Sequence, residues 1–185
     1  MFGVFILVLS VGFFPLAISS PSWGFKKSYD SREYEIKAAF IYNFTKFINW
    51  PQDIFQNGNA PLNLCLLGDD SFRPVLEQTV KGKVFNGRQF SIQLKKTTDK
   101  FSSCQLLYIY SLSDESTFKV LNSLHRQPVV TIFETEKSKN SLGIIRLIKK
   151  KNKVYFEINQ TAAENSGLKI SSHLLKLGRK KSSAN

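Results

Sequence analysis

Reactive and metal-binding side chains are scarce in this sequence, which has two histidines, two cysteines and one methionine among 185 residues. Cys65 and Cys104 form no C-x-x-C pair, and His125 and His173 lie far apart in the chain. Such a donor set falls short of a structural zinc site. No G-x-S-x-G elbow presents a serine nucleophile, and Gly82, Gly87 and Gly143 form no G-x-G-x-x-G phosphate cradle. Neither histidine has a catalytic motif around it. Internal repeats and low-complexity linkers are also missing, so one domain accounts for a chain of this length. By elimination the sequence reads as a binding protein rather than an enzyme.

Acidic charge is in short supply too. Lys and Arg number 26 against 14 Asp and Glu, a formal net charge of +12. That balance suits nucleic acid, an anionic membrane surface or an acidic partner. The basic residues are scattered, with clusters at Lys149–Lys153 and Arg179–Lys181, and no basic stripe interleaved with aromatics marks a nucleic-acid module. Nucleic acid is therefore set aside as a partner.

The first nineteen residues, MFGVFILVLSVGFFPLAIS, contain no charged side chain at all. This predicts a secretory signal over 1–19 with Ala17-Ile18-Ser19 as the small-x-small cleavage site. A membrane anchor is the alternative, because the run approaches spanning length; Gly12, Pro15 and the AISSPS cluster weigh toward cleavage. Residues 20–31 then form a polar lead-in, 32–179 the folded domain and 180–185 a basic tail. In an oxidising compartment an even cysteine count is most simply one disulfide, Cys65–Cys104.

What is present is a regular alternation of elements. Glu35 to Pro51, EIKAAFIYNFTKFINWP, predicts an amphipathic helix. Asp30 or Ser31 caps it, Ile36, Phe40, Phe44, Phe47 and Ile48 form its apolar seam, and Pro51 ends it at Trp50. LNLCLLG (Leu62–Gly68) is a buried strand, and DDSFRPVLEQTV supplies caps and a helix. RQFSIQLKK, CQLLYIY and PVVTIF are further strands, with a capped helix, SDESTFKVLNSL, before the last of them. GIIRLIKKKNKVYFEIN is a β-hairpin, and two short helices follow, the first capped by Asn159 and stopped by Gly167, the second capped by Ser171 or Ser172. The rhythm predicts an α/β fold: a single Rossmann-like or flavodoxin-like domain, mostly parallel, with a C-terminal hairpin and flanking helices. A Cys65–Cys104 bridge makes the first and third strands neighbours, a 2-1-3 order.

Asp69-Asp70 after the first strand resembles an acidic phosphoacceptor site, with Asp114 and Lys149 as roughly placed partners. Helix capping by Asp70 and Ser71 explains the same residues without a metal. Asn43-Phe-Thr45 and Asn159-Gln-Thr161 match the glycosylation sequon but fall in or beside helices.

Several stretches taken together resemble one family. EYEIKAAFIYNFTKFINWP, LNLCLLGDDSF, GRQFSIQ, CQLLYIY, VYFEIN and AAENSGLKISSHLLKLGR occur in the order seen in YfiR-like proteins, periplasmic regulators of Gram-negative bacteria. The resemblance runs from about Glu33 to Arg179. It implies a Rossmann-like domain that represses an inner-membrane diguanylate cyclase by binding its periplasmic region, which keeps cyclic-di-GMP and biofilm formation low. It also implies that Cys65 and Cys104 form a structural disulfide. The second cysteine pair of some relatives is missing here, so redox control through that pair does not carry over. No cofactor is implied. Within the matched stretches, Glu157, Lys169 and His173 are the expected partner-binding residues, with Leu168–His173 as a loop between terminal helices. A periplasmic small-ligand module that signals to a membrane sensor kinase is the alternative, and a homodimer is allowed.

Overall fold

The computed structural model describes residues 31–55, 57–134, 142–151 and 153–178. The expected signal, most of the lead-in, Arg179 and the basic tail lie outside the described residues.

Helix α1 (Ser31–Thr45) opens the fold. It stops five residues short of Trp50, where sequence periodicity had placed its end. Lys46 and Phe47 donate to the carbonyls of Asn43 and Phe44, which tightens the last turn. Ile48–Asn49 (β1) then leaves the helix to pair antiparallel with Lys169–Ile170 (β9). The ladder with β9, more than a hundred residues away, overrides the local helical pattern.

The main sheet is built from β2 (Leu62–Leu67), β3 (Val84–Phe85), β4 (Arg88–Lys95), β5 (Leu106–Ile109), β6 (Val130–Glu134), β7 (Ile145–Lys150) and β8 (Lys153–Ile158). Its order is β3-β4-β2-β5-β6-β7-β8. The run β4-β2-β5-β6-β7 is parallel, and β3 and β8 pair antiparallel at the two edges. The fold is thus mixed α/β with a seven-stranded, mostly parallel sheet. β2 and β5 are neighbours, with Cys65 opposite Leu107. Cys65 and Cys104 form the disulfide, at a Cα–Cα distance of 5.8 Å.

Alternation along the strands sends side chains to two cores. Leu64, Leu66, Leu106, Tyr108 and Ile132 pack on α1 and on α2 (Arg73–Val80), while Cys65, Leu67, Leu107, Ile109 and Phe133 face α3 (Asp114–Ser123). Ser113 caps α3 by accepting from the Ser116 amide. Helix α2 has no side-chain cap: Phe72 occupies the cap position, and Asp69, not Asp70, accepts from the Ser71 amide. That is an Asx turn before the helix. Asn159 caps α4 (Gln160–Asn165) through the Ala162 amide. Gly167 (φ 70°) follows, with its own amide on Glu164 and that of Leu168 on Ala163, a Schellman ending. Ser171 caps α5 (Ser172–Leu177). Leu168–His173, expected as a loop, therefore holds β9 and the first turn of α5.

Candidate functional site

Two places in the fold gather polar side chains. One lies at the carboxyl end of the parallel strands, where ligands of open α/β sheets commonly bind. Lys37 sits on the buried face of α1, only 4% exposed. Its ammonium lies 2.5 Å from Glu33 Oε1 and 2.7 Å from Glu134 Oε2. Glu134 also accepts from the Tyr108 hydroxyl, and Glu33 from Lys149. The result is a continuous chain from Lys149 through Glu33, Lys37 and Glu134 to Tyr108, which joins α1 to β5, β6 and β7.

Physical causes fix the charge states. Burial works to raise the Glu33 carboxyl, but the hydrogen bonds and charges of Lys149 and Lys37 outweigh it and hold the group below its ordinary value. Burial, and then the Glu134 charge, pushes the Tyr108 hydroxyl well above the usual phenol range. That phenol is a fixed donor.

Beside this chain, Tyr110 donates to the Asp69 carbonyl, and Tyr34 and Ser71 hydroxyls lie 3.1 Å apart. Burial acts to raise Asp69 as well, yet hydrogen bonds from Ser71 and Ser111 keep it below the ordinary value. The phosphoacceptor arrangement is not assembled: Lys149 is engaged by Glu33, and Asp114 opens α3. Among the described residues no group of three or more His, Cys, Asp and Glu is placed to hold a metal ion.

The second place is the surface expected to bind a partner. Lys169 and His173 are exposed on the terminal ribbon and α5, and the His173 ring stacks on Phe47 at 5.6 Å. Glu157 is elsewhere. Phe156 and Ile158 lie against the end of α5 near Gly178, and Phe156 packs on Phe40 and Phe44 of α1. The residue between them points to the opposite face of β8. There Glu157 is half-buried and accepts from Arg146 Nη2 at 2.6 Å, with the two Cα atoms directly paired across the ladder. Lys169 and His173 thus belong to the β9–α5 segment packed on the residues after α1, and Glu157 lies on the face of β8 turned away from α5.

A cleft of about 530 Å³ opens between α2 and β4, lined among others by Pro74, Glu77, Val80, Lys81, Phe90 and Ile92. Sequence reasoning missed both this cleft and the buried Lys37. The cleft has no local signature. For Lys37, the Glu33–Lys37 spacing of four was the available signal.

A family model described as YfiR/HmsC-like matches residues 34–179, a span that takes in almost all of α1 and every later element. No curated protein matches the chain.

Proposed function

The chain belongs to the YfiR/HmsC-like family, and from that membership we propose that it is a non-catalytic periplasmic regulator of cyclic-di-GMP signalling. It acts by binding the periplasmic region of an inner-membrane diguanylate cyclase and repressing it. The observation that carries this reading is the extent of the family match. The Cys65–Cys104 bridge supports an oxidising compartment. The excess of basic residues supports approach to an acidic partner beside an anionic membrane.

The test is deletion of the gene in its host, with cyclic-di-GMP measured before and after complementation. Deletion should raise the nucleotide, and the wild-type gene should restore it. No rise would remove the repressor reading. Lys169→Glu combined with His173→Ala alters two exposed groups and should fail to restore repression while folding normally. A simple charge reversal at Glu157 would set a second cation against Arg146. The exchange Arg146→Glu/Glu157→Arg keeps the ion pair and inverts its polarity, so it isolates that face as a docking surface. Full complementation by both variants would keep the function and move the surface elsewhere.

The cleft between α2 and β4 favours a second reading, a small-ligand module that signals to a membrane sensor kinase. A thermal-shift screen of periplasmic extracts against wild type and Ile92→Trp, which fills the cleft, would separate the two. A stabilisation lost in the variant supports the ligand module.

A further inference from the structure

The β7–β8 hairpin carries the densest cationic feature among the described residues. Lys149, Lys150, Lys151 and Lys153 crowd its tip, and Lys150 lies directly opposite Lys153. Like charges directly opposite on a ladder repel and weaken it. No carboxylate pairs with Lys150, Lys151 or Lys153 among the described residues, and all three are exposed. Lys149 is different: Glu33 holds it, which fastens the tip to the first turn of α1. The three remaining ammonium groups therefore project from an anchored ribbon. Two rungs down from Lys150–Lys153, on the same face of the ribbon, Ile148 faces Tyr155 across the ladder, and neither is fully buried.

We infer that this hairpin tip is a docking surface for anionic phospholipid headgroups. The local chemistry favours a lipid surface over a protein. All of the tip cations are lysines, whose ammonium groups are mobile point charges that suit a fluid array of phosphates, whereas protein interfaces favour Arg and are depleted in Lys. Tyrosine and an aliphatic neighbour behind a lysine fringe match the headgroup–acyl boundary, where amphipathic side chains settle. The uncompensated Lys150–Lys153 repulsion is relieved when phosphates come between them. β7 is parallel to β6, so the tip lies at the carboxyl end of the sheet, the same end at which α1 begins. Only the periplasmic setting comes from the role proposed above; the vesicle measurement stands whether or not a cyclase is the partner.

The experiment is co-sedimentation of the purified protein with phosphatidylethanolamine–phosphatidylglycerol vesicles and with phosphatidylcholine vesicles. Lys150→Gln/Lys151→Gln/Lys153→Gln is compared with Lys96→Gln/Lys100→Gln/Lys119→Gln, which removes equal charge from exposed sites after β4 and on α3. Wild type should bind the anionic vesicles alone and lose binding in about 0.5 M salt. Each tip lysine contributes about fivefold in partition, so the tip variant should bind about two orders of magnitude more weakly. The control variant should keep its binding, and matching thermal melts would show both variants folded. Equal losses in the two variants would reduce the effect to net charge and overturn the assignment. Unchanged binding in the tip variant, or no binding of wild type, would do the same.

Discussion

Lys37 shares the buried face of α1 with Tyr34, Ala38, Ile41 and Phe44, whereas the expected seam residues Ile36 and Phe40 are only partly buried, and two carboxylates neutralise it. Lys37→Met removes the cation and leaves Glu33 and Glu134 with one partner each. Loss of one partner from a mostly buried ion pair should cost about 2–3 kcal/mol in urea unfolding. Glu33 makes a pH prediction. Its folded carboxyl titrates below the unfolded value of about 4.3, so the unfolded chain takes up the proton first. The stability it supplies is complete above that value and is lost as the pH falls through the folded value. Glu33→Gln should lower stability at neutral pH and flatten the acid limb of a stability–pH curve; an unchanged limb would remove Glu33 from acid unfolding. None of this network was legible as a network in the sequence. Glu33 and Lys37 share a helical spacing, but Glu134 and Tyr108 reach them only because β5 and β6 lie side by side beneath α1.

At the scale of elements, buried runs, caps and the β4-β2-β5 order that the Cys65–Cys104 bridge implies were legible, and the pairing of β1 with β9 was not. The apolar run of β2, the Ser113 cap and the β7–β8 hairpin follow from local chemistry. The β1–β9 ribbon depends on residues at opposite ends of the domain, so no window of sequence contains it. The β3–β4 hairpin did carry a signal, Asn86-Gly87, whose φ values of 48° and 79° are those of a two-residue turn. Short flanking strands hid it. Close approach between elements gives a further prediction. A Cβ on Gly68 would lie 2.3 Å from the Tyr110 carbonyl oxygen, where β2 and β5 run out together. Gly68→Ala should therefore destabilise by about 1–3 kcal/mol in thermal melts. Gly58→Ala, which meets nothing within 4 Å, should stay within about 0.5 kcal/mol of wild type. Equal melts for both would show that the strands part at the β2–β5 exit to admit the methyl group.

For the whole molecule, the disulfide is the covalent cross-link: both cysteines are fully buried, and the bond spans 39 residues. Cys65→Ser/Cys104→Ser should lower stability by about 2–4 kcal/mol, read from denaturant midpoints with and without reductant. Export is checked separately by mass analysis of periplasmic protein, whose chain should begin near Ser20; an intact Met1 in the membrane fraction would show an anchor instead. The position of the bond also bears on how fast the chain finds its fold. β2 and β5 are separated in sequence by α2, β3 and β4, so pairing them first requires closing a long loop, the slow part of assembling a parallel sheet. In the oxidised chain that closure is already made. If β2–β5 contact belongs to the folding nucleus, the whole stability difference appears in the folding rate, so stopped-flow refolding of the oxidised protein should outpace the serine variant by about thirtyfold to several hundredfold, with similar unfolding rates. Equal refolding rates with faster unfolding of the variant would place that contact after the barrier, and the bond would then set how long the folded protein lasts rather than how quickly it forms.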